Sequence, residues 1–218
     1  MKKILVFASG DQIGGGSGFQ TMVESSRTKP AILKAKIIGV VSNHAQGGVF
    51  QKAQSLGVPF MHFPKPFTAE KYQRIVEEFN PDYIMCSGWL KPVRGLDENM
   101  VINIHPGPLP RFGGKGMYGH HVHEAVIAAY KRGEITQSAV SLHFVNEEYD
   151  KGLGIVQIPV LIRPDDTAET LAARVLTVEH NHQSPVLNEI IHKRIFPNGN
   201  GGVLIKNKML RKFSFCNK

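Results

Sequence analysis

The segment VINIHPGPLPRF, residues 101–112, sets an amide and an imidazole at alternate positions of an apolar run, then breaks the run with three prolines and a glycine. In a strand, successive side chains point to opposite faces, so Val101, Asn103 and His105 share one side and Ile102 and Ile104 the other. Pro106, Pro108 and Pro110 cannot donate to a ladder and restrict the residues before them, so the strand should end at His105 and enter an ordered turn. Two polar groups thus point together from the C-terminal end of a strand, where open α/β sheets bind their ligands. Either residue alone could be a satisfied core polar group. The pair in this position marks a candidate site.

The flanking sequence supplies the sheet. KILVFASG (3–10) is a near-continuous apolar strand running into a glycine-rich turn, and GFQTMVESSR (18–27) has the helical spacing of Phe19, Met22 and Val23. KIIGVVSN (36–43) reads as a second strand, GGVFQKAQSLGV (47–58) as a helix closed by Gly57, and PFMHF (59–63) as a third strand. TAEKYQRIVEEFN (68–80) follows as a helix with Thr68 as N-cap, PDYIMCSG (81–88) as a fourth strand and NMVINIH (99–105) as the fifth. This alternation predicts an α/β fold, a Rossmann-like, mostly parallel twisted sheet with helices on both faces. Beyond residue 135 the pattern changes. SAVSLHFV (138–145) and GIVQIPVLIR (154–163) are two long strands joined by NEEYDKGL, which adds antiparallel strands to the C-terminal part. Residues 166–192 are strongly helical, and PNGNGG (197–202) leads to a strand-like tail.

The chain has 218 residues, 42% of them hydrophobic, enough for one domain with a substantial core. No apolar run is long enough to span a bilayer, and MKKILVFASG lacks a signal-peptide cleavage pattern and reads as a first strand. Cys86 and Cys216 are far apart and lack metal spacing, so neither a disulfide framework nor a zinc site is indicated, and a cytoplasmic location is expected. A formal charge of +8 favours anionic partners without choosing among nucleic acid, membrane surface and small phosphorylated or carboxylated molecules. Lys206, Lys208, Arg211 and Lys212 alternate with apolar residues in IKNKMLRKF and read as a solvated strand or tail.

Three further features carry chemistry. In ASGDQIGGGSGF (8–19) the backbone amides of residues 14–18 can converge on an anion at the start of the next helix. The segment is not a Walker A loop, since no Gly-Lys-Ser/Thr follows, and not a dinucleotide fingerprint, since VVSN offers Ser42 and Asn43 where an acidic ribose ligand belongs. Asp150 closes a loop before Lys151 and Gly152, a position from which a carboxylate could reach back toward His105. His120 and His123 lie one helical turn apart, but no further ligand motif accompanies them, so a helix flank is the reading and no metal is expected.

INIHPGPLPRF, the turn Asp150-Lys151-Gly152, the Gly/Ser loop after the first strand and TVEH at 177–180 together resemble the folate-dependent glycinamide ribonucleotide transformylase family of purine synthesis, over nearly the whole chain. The resemblance implies one formyltransferase domain over 1–218, with 1–100 as the phosphate-binding half and 101–218 as the catalytic and folate-loop half. It implies Asn103, His105 and Asp150 as the catalytic group, Gly16, Ser17 and Gly18 for the acceptor phosphate and Glu179 for its ribose. It assigns the folate to Leu90, Lys91, Pro92 and Val93 with Asn103 and the loop Asn146, Glu147, Glu148, Tyr149 and Asp150. The co-substrate is then 10-formyltetrahydrofolate and no metal takes part. The partners are small molecules, not nucleic acid or membrane, and the protein is a monomer or homodimer. Leu109-Pro110 is expected to be cis on the same grounds.

Direct formyl transfer passes through a tetrahedral centre bearing an oxyanion, with proton movement at attack and departure. In this scheme Asn103 donates to the oxyanion, His105, if protonated, adds a second donor and passes a proton to the leaving nitrogen, and Asp150 holds its orientation and favours the imidazolium. The chain departs from the family pattern in places. The loop at 9–20 and the segment FGGKGMYGHHVHEA (112–125) are longer than usual, Gly18 stands where the family has Asn, and Ala69 replaces a basic residue near which Lys65 is the available cation. A formyltetrahydrofolate hydrolase carries an extra N-terminal domain and a methionyl-tRNA formyltransferase an extra C-terminal one, so both are the weaker alternatives. From another class, a basic anion- or RNA-binding Rossmann-like module gives no reason to join Asn103, His105 and Asp150.

Overall fold

The computed structural model describes residues 1–215; Cys216 lies outside them. In chain order the elements are β1 (Lys2–Phe7), α1 (Ser17–Arg27), β2 (Ala35–Ser42), α2 (Gly48–Leu56), β3 (Phe60–His62), α3 (Ala69–Phe79), β4 (Tyr83–Ser87) and β5 (Val101–His105). They continue with α4 (His120–Lys131), β6 (Gln137–Phe144), β7 (Gly154–Leu161), α5 (Ala168–Ile191), β8 (Ile195–Pro197), β9 (Val203–Ile205) and α6 (Lys208–Arg211). The main sheet has the order β3-β2-β1-β4-β5-β6-β7. Strands β1 to β5 are parallel, whereas β6 runs antiparallel to both β5 and β7.

The period-2 reading of β1 and β5 is visible in the two cores. Ile4, Val6, Ile102 and Ile104 join Phe19, Met22, Val122 and Leu187 on one face, while Leu5, Phe7 and Val101 join Tyr72, Ile75 and Trp89 on the other. The chain leaves β1 for β2 and β3 on one side and returns to β4 on the other, so a crevice opens where the strand order reverses. Ser9 N donates to Gly88 O at 2.9 Å across that switch point.

One local reading holds in position and one is corrected. Thr68 holds the N-cap position of α3, but its side chain accepts no bond from the helix's amides. The basic tail is neither a plain strand nor loose: β9 pairs antiparallel with β8, and residues 208–211 form a short helix whose capping Asn207 side chain accepts from Met209 N and Leu210 N. Phe213 O then accepts from Gln157 N at 2.7 Å and Ser214 bridges Val156, so the tail covers part of the β7 edge. Among the described residues no helix is long and apolar enough to cross a membrane.

Candidate active site

Strand β5 ends at His105, and Asn103 and His105 face the same side, toward the loop that follows β6. That loop carries Asp150, held at φ +56°, in the left-handed region where Asp is tolerated better than most residues. Asp150 Oδ2 stands 3.6 Å from His105 Nδ1 and accepts from Gly114 N at 2.9 Å, while Oδ1 accepts from Asn103 Nδ2 at 3.5 Å. The three residues singled out in the sequence therefore form one cluster.

A fourth member was missed. Antiparallel pairing sets His143 of β6 opposite Asn103, and this buried ring donates from Nδ1 to Phe144 O at 2.7 Å. Its Nε2 is thereby an acceptor and takes a bond from Asn103 Nδ2 at 3.0 Å, 3.4 Å from Asp150 Oδ1. The available signal was the alternation of Ser141 and His143 in SLHF, which puts both on one face of β6; register against β5 supplies the rest.

Electrostatics set the resting state of His105. Burial pushes its pKa down, and the Asp150 carboxylate and the Phe112 carbonyl only partly offset this, which favours the neutral ring over the imidazolium at rest. Its Nε2 donates to Phe112 O at 2.7 Å, which leaves Nδ1 as the free lone pair beside Asp150. Burial also pushes the Asp150 carboxyl up, yet the positive charge that His143 or His105 carries when protonated, together with the Gly114 amide, outweighs it and holds the group below its ordinary value.

The proline turn is fastened from β6 and β7. Ser141 Oγ donates to Gly107 O at 2.7 Å, and Gln157 Nε2 donates to Leu109 O at 3.0 Å. Leu109-Pro110 is cis, as are Lys29-Pro30 and Lys65-Pro66.

A cleft of about 560 Å³ opens beside the cluster, lined by Asn103, His105 and Asp150, the glycine loop and α5. Gly16 caps α1 at φ +74°, which favours glycine, and Ser17 Oγ lies 3.2 Å from His180 Nε2. Gly18 has a steric reason to lack a side chain: a Cβ there would stand 2.1 Å from Ser87 Oγ and 3.1 Å from Gln183 Oε1. Buried Gln183 instead donates from Nε2 to Gly18 O at 2.9 Å. Glu179 projects from α5 into the same cleft, where burial pushes its pKa up to about 8.

A narrower groove of about 50 Å³ adjoins it and shares Asn103, Tyr149 and Asp150. Lys91, Pro92 and Val93 form one lip and Asn146, Glu147 and Glu148 the other, whereas Leu90 faces the larger cleft. The first lip is braced from α3: Trp89 Nε1 donates to Tyr72 Oη at 2.9 Å, and Tyr72 Oη donates to Pro92 O at 2.8 Å. Gly95 N donates to Glu147 Oε1 at 3.2 Å and ties the lips together. Lys65 is exposed and lines neither space, and Ala69 packs against Gly95. Both His120 and His123 line the cleft; His120 stands 3.3 Å from Glu169 and 3.5 Å from Glu124.

The family model for formyl transferases matches residues 2–187. The chain is 37% identical over 217 residues to a chloroplastic phosphoribosylglycinamide formyltransferase of Vigna unguiculata, covering 95% of this chain and 66% of that protein. It is 35% identical over 218 residues to the corresponding protein of Arabidopsis thaliana, covering 95% and 71%. The crystal structure of a phosphoribosylglycinamide formyltransferase from Anaplasma phagocytophilum superposes with a TM-score of 0.77 at 27% identity, over 95% of each chain.

Proposed function

Because the chain belongs to the formyl transferase family, we propose that it transfers the formyl group of 10-formyltetrahydrofolate directly to the amine of 5-phosphoribosylglycinamide, a step of purine synthesis. One observation carries this reading: Asn103 and Asp150 line both a glycine-lined cleft and a second groove, and His105 stands beside Asp150 on the cleft side. Two substrates brought in from the two sides would react where these spaces meet.

In this reading the acceptor phosphate rests on the amides of Gly16, Ser17 and Gly18 at the start of α1, where the helix dipole favours negative charge. Glu179 meets the ribose hydroxyls. The folate enters between residues 90–93 and 146–150, and since ligand pockets run to several hundred Å³, the lips of the 50 Å³ groove separate to admit it.

The acceptor nitrogen attacks the formyl carbon, and the carbonyl π pair moves to oxygen. Asn103 Nδ2 donates to this oxyanion by giving up its long, 3.5 Å bond to Asp150. Neutral His105 takes the amine proton at Nδ1, and Asp150 stabilises the imidazolium so formed. Collapse of the tetrahedral centre breaks the carbon–nitrogen bond to the folate, whose nitrogen receives that proton from His105. No covalent enzyme intermediate is needed.

The test is to mix the protein and 10-formyltetrahydrofolate with phosphoribosylglycinamide, with methionyl-tRNA, or with buffer alone, and to follow tetrahydrofolate. Release with the first acceptor only is the expected result. Equal release without acceptor rejects the proposal in favour of a hydrolase, and release with methionyl-tRNA alone rejects the acceptor.

A further inference from the structure

The larger cleft holds few charged side chains, since burial keeps Glu179 mostly protonated near neutral pH. Asp150 and Glu179 line it, and among the described lining residues Lys115 is the single lysine or arginine. Lys115 is exposed and its ammonium has no carboxylate partner among the described residues. It sits in the lengthened strap at 113–119, where Gly114, Gly116 and Gly119 all have positive φ and a Cβ added to any of them would meet only open space. The strap is tethered at both ends. Gly114 N is bonded to Asp150 Oδ2 at 2.9 Å, and His120, just beyond, reaches Glu169 at the start of α5.

We propose that Lys115 is a specificity-determining residue that binds the phosphate monoester of the acceptor from the strap, opposite the glycine loop. The inference rests on reading the larger cleft as the acceptor's site. Backbone amides can orient a dianion but bring no net charge, and the Asp150 carboxylate in the same cleft opposes it. A lysine on a four-carbon stem supplies a mobile point charge, which suits a phosphate better than a planar carboxylate. The narrow groove assigned to the folate has a cation of its own, Lys91, so Lys115 is not needed there. Glycines on either side let the strap bring the ammonium in without backbone strain.

Ribose 5-phosphate and ribose serve as probes in calorimetric titrations of the full chain, with Lys115→Ala, Lys115→Arg and, as a control for net charge, Lys131→Ala on the exposed end of α4. Ribose 5-phosphate should bind Lys115→Ala about tenfold more weakly than wild type, the loss of one charge-assisted contact. Lys115→Arg should stay within about threefold because the charge persists, and added salt should narrow the gap by screening it. In turnover, Lys115→Ala should raise the KM of the acceptor and not that of the formyl donor. Unchanged ribose 5-phosphate affinity in Lys115→Ala, an equal loss in Lys131→Ala, an equal loss for ribose, or no binding by wild type would each overturn the proposal. Binding here needs no chemistry, so a wild-type chain that binds ribose 5-phosphate through Lys115 yet transfers no formyl group would reject the activity and leave this assignment standing.

Discussion

Asn103 and His143 face each other across the β5–β6 pair, with the Asn103 amide donating to His143 Nε2 at 3.0 Å. Because His143 Nδ1 is spent on the Phe144 carbonyl, the neutral ring can only accept at Nε2, and this sets which way the Asn103 amide points. His143 is a positioning residue in this account, one step removed from the reacting atoms.

His143→Ala should therefore lower kcat by about tenfold to a hundredfold, short of the loss from removing the oxyanion donor itself, with little change in either KM. The double variant with Asn103→Ala should be scarcely worse than Asn103→Ala alone, since the two act as a unit. Steady-state kinetics on the four forms decide this. Losses that multiply would show that His143 contributes independently of the amide.

The pH dependence of turnover should report His105 as a base. Its pKa lies below the ordinary histidine value because burial outweighs the attraction of Asp150. Activity should fall on the acid side as the ring becomes protonated and can no longer take the amine proton. Asp150→Asn removes the group that raises the pKa, so the acid limb should move to still lower pH while kcat falls sharply, the imidazolium having lost its counter-charge. NMR titration of His105 with the pH–rate profile checks both; an acid limb in the same place in wild type and Asp150→Asn would contradict the pairing.

How much of this was legible in the sequence follows from the range of the forces involved. The end of β5 was legible because alternation and prolines act within a few residues, and the same holds for Gly57, which closes α2 in the left-handed conformation. That Asp150 sits in a turn could be read locally, but its approach to His105 depends on β6 returning antiparallel to β5, and only the family resemblance supplied it. His143 stayed hidden for the same reason: a histidine inside an apolar strand has no meaning until its cross-strand partner is known. The resting charge of His105 could not be read from the sequence, because a nearby carboxylate shows in a motif and burial does not. The clash that excludes an asparagine side chain at Gly18 involves Ser87 and Gln183, which lie far from it in sequence.

A buried histidine outside the cluster gives a stability prediction. His123 on α4 is 5% exposed, its Nδ1 lacks a partner among the described residues, and burial, helped by His120 and His105, pushes its pKa down to about 4. The unfolded chain takes up this proton near pH 6.5 and the folded one only near pH 4, so the contribution is whole above pH 6.5 and is lost as pH falls toward 4. The loss should reach about 3 kcal/mol, and His105 adds to it with the same sign. Denaturant titrations across this range should show stability falling less steeply with acid in His123→Gln than in wild type, whatever the offset between them. Equal slopes would mean that His123 is not buried as a neutral ring.

The fate of the formyl carbon tests the account most directly. With 10-formyltetrahydrofolate labelled with ¹³C in the formyl group and phosphoribosylglycinamide present, the label should appear on the acceptor nitrogen as a formamide signal, and Asn103→Ala should slow its appearance by about a hundredfold. Label recovered as formate, at a rate indifferent to the acceptor, would contradict the account.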